Sequence, residues 1–477
     1  MLSRSFKNCI STQFLIFINV VVQEFCLKYY NFMMFKREEL ITATGAESLK
    51  NECGDAVEYS ISTDTRTIQK GDIYLPLKGE SFDGENFIEN ALKAGAAGYF
   101  TSRDTIYPDA QIVLKVNSTL DAYLNLAKYY RRKINPLTVA ITGSSGKTTT
   151  KEMVYSVLSQ KFKTHKTYSN HNNEIGFCQT VLGMDIDTQA LIVEMGMRGL
   201  GEIELISTHL EPDYAIITNS GTAHIGRLGS LDNIAEAKCE IASGLNKNGA
   251  LIALNQEIIK KHLNYEGQKI YYSLDDVNII EKGVSHSIFE YKGNTYKLNV
   301  EGDYNIENSL AAIELGLKTG LTPEQIKTGL ESYHHIEKRW EVKDINGIKI
   351  INDSYNANPD SMKASVKTFI ELYKNPVVIL GNMGELGENE IQYHKQVGQA
   401  LAGMNKPAKY CVVGSLAEKI GEELEKANLE VHFFQNNKET ADYISKNISV
   451  EETVFLKASR SMKFEEIIDY IRKGTNK

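Results

Sequence analysis

Between residues 35 and about 135, short apolar runs with strand character, DIYLPL, AGYFTS and QIVLKV, alternate with helical stretches such as NFIENALKAGA and STLDAYLNLAKYYRRK. The tetrapeptide INPL, Ile134 to Leu137, closes that region, because the residue before a proline is biased out of helix. From Leu137 the pattern changes. LTVAIT, ALIVEM, YAIITN and ALIAL are apolar on both faces and separated by helix-length segments, as in a parallel sheet covered on both sides. LTPEQIKTGLESY then predicts a helix with Thr322 as N-cap and Pro323 in its first turn. After it, GIKIINDSYNANPDSMKASVKTFIELY, PVVILG, KYCVVG and TVFLKAS make a further strand and helix series. The expectation is an α/β chain of three domains, at 34–135, 136–336 and 337–477, the last of them Rossmann-like.

A length of 477 residues is too great for one ordinary core, which agrees with that division. Apolar residues make up 42% and charged residues 24%, the balance of a soluble globular chain. The net charge of −8 argues against a nucleic-acid backbone as the main partner, so local basic groups must do any phosphate binding. Cysteines at positions 9, 26, 53, 178, 239 and 411 are far apart and form no C-x-x-C pair, which suits free thiols in a reducing cytoplasm. No short-period repeat is present. At the N-terminus FLIFINVVV, Phe14 to Val22, follows Arg4 and Lys7 as the core of a signal peptide would. It is too short to span a bilayer and no small-x-small site follows it, so residues 1–33 are read as an extension and no stable membrane insertion is expected.

The chemistry enters at ITGSSGKTTTKEM, residues 141 to 153. A strand to Thr142, a tight turn over Gly143, Ser144, Ser145 and Gly146, and a helix from Lys147 would aim bare backbone N–H groups at a phosphate. Lys147 adds a full positive charge, and Thr148 and Thr149 follow it, Thr148 placed to ligate Mg²⁺. The general phosphate loop is G-x-x-x-x-G-K-[ST], and Ile141 occupies its first glycine position, leaving the shorter G-x-x-G-K-T. An ATP or GTP site in a P-loop ATPase-like central domain is expected. Glu194 ends an otherwise apolar strand and His224 follows the next one, so both should lie at the edge where ligands of open α/β sheets collect. Each is a candidate metal ligand. Lys238, in NIAEAKCEIASGL, reads from its own helix as a solvent-facing lysine.

Taken together, TGSSGKTTTKE, NHNNEIG, EMGMRGLGEI, TNSGTAHIGRLGS, EAKCEI, GDYNIENSLAA, NDSYNANPDSM and LGNMGELG resemble, in family order, the Mur ligases, the ATP-dependent amide-bond ligases of bacterial cell-wall synthesis. The resemblance spans about residues 35 to 470. SYNANPDSM, GNMGELG and the N-terminal STDTRTIQKGDIYLPLKGESFDGENF are most similar to the member that adds D-alanyl-D-alanine to UDP-N-acetylmuramoyl-tripeptide. The nearest alternative is the member of the preceding step, which adds diaminopimelate or lysine; its selectivity motif is not found in the last domain. A P-loop NTPase or kinase is the alternative from another class.

The resemblance implies a UDP-sugar domain at the N-terminus, with Ser62, Asp64, Thr65 and Arg66 facing that substrate. It implies that Lys147 and Thr148 hold ATP phosphates and Mg²⁺, that Glu194 and His224 ligate the metal, and that Lys238 matches a lysine carbamylated in the family. Lys147, Lys238 and His224 are then the catalytic candidates. Asn305 and Asn308 match a pair near adenine, and Arg339 and Asp353 match last-domain residues that reach ATP on closure. Asn172 and Asn173 would face the tripeptide or the reacting centre, with Tyr355 and Asn358 as further substrate contacts. A monomer in the cytoplasm using ATP and Mg²⁺ is expected. Four positions depart from the family pattern: Glu85 for histidine, Cys178 for proline, Asn352 for an acid and Ala458 for glycine.

Overall fold

The structure is a computed structural model that describes residues 34–474 apart from 55, 80 and 405, so the run Phe14 to Val22 lies outside the described residues. The described residues divide into two units, those up to 135 together with 178–188, and 136–177 together with those from 189 onward.

In the first unit β1 (Phe35–Lys36) pairs antiparallel with β3 (Glu58–Tyr59). A five-stranded sheet has the order β2-β7-β6-β5-β4, from β2 (Glu47–Asn51), β4 (Ile61–Ser62), β5 (Ile73–Tyr74), β6 (Gly98–Thr101) and β7 (Ile112–Lys115). Only β2 runs antiparallel to its neighbour. The helix Thr119–Ile134 starts where Ser118 Oγ accepts from Asp121 N and stops at Asn135, whose φ of 52° breaks it ahead of Pro136. Residues 178–188, expected in the central domain, cluster with this unit instead, because the buried Tyr130 hydroxyl donates to Met184 O at 2.8 Å.

The second unit holds two six-stranded sheets. The first is wholly parallel, in the order β13-β12-β11-β8-β10-β9: β8 (Leu137–Thr142), β9 (Thr164–Lys166), β10 (Ala190–Glu194), β11 (Tyr214–Ile217), β12 (Ala250–Leu254) and β13 (Gln268–Tyr272). Helices Lys147–Leu158, Asp303–Lys318 and Pro323–Glu331 bury Val154, Val157, Leu310, Ile313 and Ile326 in one core with Val139 and Ile192. Thr322 caps the last of these, its Oγ1 accepting from Gln325 N while Gln325 returns a bond to the Thr322 N–H.

A three-stranded antiparallel sheet, β14 (Asn278–Gly283), β15 (His286–Tyr291) and β16 (Asn294–Leu298), was not anticipated. Its strands are polar on one face and give the core Phe289, Tyr291, Tyr296 and Leu298, with Ile279 packed partly against it, so a search for fully apolar runs passes over them. The second large sheet is ordered β17-β18-β22-β19-β20-β21, from β17 (Glu341–Ile345), β18 (Ile348–Asn352), β19 (Pro376–Gly381), β20 (Lys409–Val413), β21 (Val431–Phe434) and β22 (Thr453–Lys457). It is parallel except for the edge hairpin of β17 and β18.

Candidate functional site

The register of the central sheet decides where the chemistry collects. Glu194 stands opposite Ile141, and Ile217 opposite Thr142, so the loops after β8, β10 and β11 leave the same edge. The first of these loops is held by the third. Asn219 O accepts from Ser144 N at 3.0 Å, Asn219 Oδ1 accepts from Ser145 N at 2.9 Å, and Thr218 Oγ1 donates to Ser145 O at 2.6 Å. Both glycines are required by the space. At Gly143, φ 152°, a Cβ would meet Thr218 Oγ1 at 1.9 Å; at Gly146, φ 81°, it would meet Asn308 Oδ1 at 2.4 Å. Lys147 opens the helix and its Nζ donates to Gly143 O at 2.7 Å. Gly146→Ala should therefore cost about 1–3 kcal/mol in backbone strain and lower kcat/KM for ATP more than about tenfold, measured by denaturant melts and initial rates; wild-type rates would contradict the loop geometry.

On the other side of β8, Glu194 is buried and its Oε1 accepts from Asn172 Nδ2 at 3.1 Å and Thr148 Oγ1 at 3.3 Å. Its Oε2 has no hydrogen-bond partner among the described residues and lies 3.4 Å from Lys151 Nζ, which is itself buried. Burial pushes this carboxyl up, but the Lys151 and Lys147 charges outweigh it and hold it below the usual range. An ionised carboxylate whose second oxygen makes no hydrogen bond among the described residues, beside a threonine hydroxyl, is the hard oxygen donor set that Mg²⁺ prefers, and the residues fit that ion. Among the described residues no group of three or more His, Cys, Asp or Glu is gathered as a metal cage.

His224, expected as a metal ligand, has a φ of 66° and places Nδ1 2.7 Å from Glu385 Oε2 of the loop after β19. Lys238 is not the solvent lysine its helix suggested. It is 0% exposed and its Nζ has no hydrogen-bond partner among the described residues, because its face of the helix Leu231–Cys239 turns inward. Burial first and the Lys147 charge second hold the Lys238 amine well below its ordinary value.

Across the ends of β8, β11 and β12 opens a cavity of about 560 Å³, lined among others by Gly146, Thr149, Asn305, Asn308, Arg339 and Asp353. Asn308 sits at its phosphate end, bonded to Thr150 Oγ1 at 3.3 Å and packed under Gly146, while Asn305 Nδ2 is turned back to Glu301 O at 2.6 Å. The pair thus divides, since only Asn308 lies against the loop. From the segment that leads into β17, Arg339 Nη2 donates to Thr148 Oγ1 at 3.0 Å while its guanidinium lies 4.1 Å over the Tyr355 ring. Asn358 Nδ2 donates to Ser145 Oγ at 3.0 Å, and Asn358 Oδ1 caps the helix Pro359–Leu372 through Ser361 N. Asp353 is ion-paired with the buried Lys457. Asn173 Oδ1 accepts from Gly176 N at 3.0 Å.

Several residues here escaped sequence reasoning: Lys151, Asn219, Lys457, and Asp360, whose Oδ2 accepts from Thr222 N at 3.0 Å and Thr222 Oγ1 at 2.8 Å. The last two act between segments about 100 or more positions apart, which no local pattern reports. TNSG after β11 was the available signal for Asn219.

In the first unit Ser62 ends β4, and Asp64, Thr65 and Arg66 lie in the loop and turn that follow it. Asp64 takes both Nε and Nη2 of Arg66, at 2.9 and 2.6 Å, and those bonds hold its carboxyl down at about 2. Ser62 Oγ donates to Asp64 O at 3.1 Å. The Arg66 side chain is 87% exposed, so a ligand can reach it. Glu85 is buried, accepting from Thr101 Oγ1, Ser102 N and Ser102 Oγ at 2.6–2.9 Å, and so serves the interior of this unit. Asn352 is buried too, with Oδ1 accepting from Ser354 Oγ at 2.6 Å. Cys178 and Ala458 are fully buried.

Three family models match the chain: "Mur ligase family, catalytic domain" over residues 59–131, "Mur ligase middle domain" over 141–316, and "Mur ligase, glutamate ligase domain" over 338–460. The UDP-N-acetylmuramoyl-tripeptide–D-alanyl-D-alanine ligase of Bacillus subtilis is 38% identical over 86% of this chain and 93% of its own length. The crystal structure of MurF from Acinetobacter baumannii superposes with a TM-score of 0.84 at 29% identity, covering 93% of this chain and 99% of the other. MurF ligase from Thermotoga maritima in complex with ADP gives 0.78 at 25% identity, over 87% and 97%. A strand-end phosphate loop, a last sheet that reaches back to it through Arg339, and relatives matched along nearly their whole length lead to one conclusion: the chain belongs to the Mur ligase family.

Proposed function

We propose that this chain is an ATP-dependent ligase that joins D-alanyl-D-alanine to UDP-N-acetylmuramoyl-tripeptide through an acyl phosphate, giving the UDP-linked pentapeptide for peptidoglycan synthesis. The observation that carries the reading is the meeting of Lys147, Thr148 and Glu194 with Arg339 at one sheet edge, in a chain whose relatives are named for that reaction. A carboxylate is a poor electrophile, so the tripeptide carboxylate first attacks the γ-phosphate and releases ADP. The dipeptide amine then attacks the acyl carbon, and phosphate leaves. Lys147 and the loop N–H groups stabilise charge on the transferred group. Mg²⁺, held by Thr148 and Glu194 with His224 and a carbamylated Lys238 as further candidate ligands, would supply added charge neutralisation at the phosphates. Arg339, Asn358 and Asp353 bring the last domain over the nucleotide and exclude water that would hydrolyse the acyl phosphate. Ser62, Asp64, Thr65 and Arg66 take the UDP-sugar, while Asn172, Asn173 and Tyr355 face the tripeptide.

We assign the enzyme to the cytoplasm as a monomer; no described helix is long and apolar enough to cross a membrane. The test is phosphate release by the purified chain with ATP, Mg²⁺ and UDP-N-acetylmuramoyl-tripeptide carrying diaminopimelate or lysine, with and without D-alanyl-D-alanine. Dipeptide-dependent release with a pentapeptide product by mass spectrometry is expected. Release without the dipeptide would indicate an NTPase. Activity only with a UDP-dipeptide and free diaminopimelate or lysine would indicate the preceding step.

A further inference from the structure

Arg339 reaches Thr148 from an improbable piece of backbone. Its neighbours Lys338 and Trp340 both have positive φ, 59° and 61°. Side chains with a Cβ rarely adopt that conformation, and a pair of them flanking one functional arginine persists only where the surroundings hold it. The holding group is a single carboxylate. Glu301, 0% exposed, lies two residues ahead of the helix Asp303–Lys318. Its Oε1 accepts from Trp340 Nε1 at 2.6 Å and from the Tyr373 hydroxyl at 3.0 Å, and its Oε2 lies 2.9 Å from His335 Nε2. His335 and Trp340 bracket the kink, and Tyr373 ends the helix Pro359–Leu372. The His335 and Trp340 rings stack with centroids 6.3 Å apart, and Trp340 packs on Phe455 at 5.2 Å.

We propose that Glu301 is a positioning residue: its carboxylate pins the crossover segment 333–341 in the conformation that sends Arg339 to Thr148. Burial pushes the Glu301 carboxyl up, and the His335 and Trp340 donors outweigh this and hold it below the usual range. An ionised carboxylate sealed from water in this way cannot be removed without leaving the buried Trp340 and Tyr373 donors and the half-buried His335 unpaired. Its effect on catalysis is exerted through the arginine, and this separates it from a residue that merely stabilises the fold.

Kinetics and fluorescence test the proposal, which rests on the ligase reading only for the kinetic arm. Trp340 is the single tryptophan of the chain, so its emission reports on the pinned segment alone. In the full-length protein, Glu301→Leu is expected to lower kcat/KM for ATP about tenfold or more and to shift Trp340 emission to the red. Arg339→Ala should lower kcat/KM comparably with emission unchanged, and the double variant should be no worse than Arg339→Ala alone. Glu301→Gln keeps an oxygen for Trp340 and Tyr373, so it should retain more activity than Glu301→Leu; if the leucine variant does not fold, the same cycle is run with glutamine. Losses that multiply in the double variant, or wild-type kcat/KM for ATP in the Glu301 variants, would overturn the proposal. A wild-type chain inactive on these substrates would sink the ligase reading and leave the emission comparison to decide this one.

Discussion

Lys147→Ala is expected to lose about a hundredfold to a thousandfold in turnover, the range seen when one preorganised charge-stabilising donor is removed from an active site, while the protein stays folded. The lysine is half-buried at the first helical position of the phosphate loop, where alanine is a good helix former. Burial first, with Arg339 adding to it, pushes its amine down against the pull of Glu194 and Glu385. A lysine with a lowered folded-state value contributes no favourable charge to the resting fold at neutral pH, so its removal should not destabilise the enzyme. Thermal melts and single-turnover phosphate transfer check the two halves separately. A folded variant retaining more than a few per cent of activity would remove Lys147 from the mechanism.

Lys238→Met should give a second large loss, about a hundredfold in turnover, with stability unchanged or improved. Methionine is close in volume and relieves a buried amine that has no partner, a defect worth about 1–3 kcal/mol. The same isolation prepares the amine for carbamylation. Burial chiefly, and the Lys147 charge, hold its amine well below the ordinary value, which favours the unprotonated form that attacks CO₂, forming an N–C bond and releasing a proton. The carboxylate so made would stand within reach of the Lys147 charge, which already acts on the amine. Native mass spectrometry in bicarbonate should show an added CO₂ that Lys238→Met lacks. Full activity in the methionine variant would leave Lys238 a filler of the core.

The inner strands of the two large sheets were legible because parallel strands buried on both faces are predominantly apolar, as LTVAIT, ALIVEM, PVVILG and TVFLKAS are, whereas the edge strands β9, β13, β17 and β21 carry polar residues and were not read as strands. Thr322 was legible as a cap because capping is local chemistry, complete within four residues. The sheet of β14, β15 and β16 was not, since half of its side chains face away from the core. The membership of residues 178–188 was not either, because it depends on where Tyr130 points after folding.

Within the site, the sequence by itself determined the chemistry available: a glycine turn between strand and helix, a lysine after it, and a carboxylate at the end of the neighbouring strand. These follow from bonds and periods spanning a few residues. Only the tertiary structure decided which groups face one another. It buried Lys238 on a helix that looked amphipathic and carried Arg339 to Thr148 across 191 positions. It also placed Asn308 under Gly146 and gathered His335, Trp340 and Tyr373 onto Glu301. Such contacts depend on the packing of elements distant in the chain, and burial and charge in a protein interior are set by that packing rather than by neighbours in sequence.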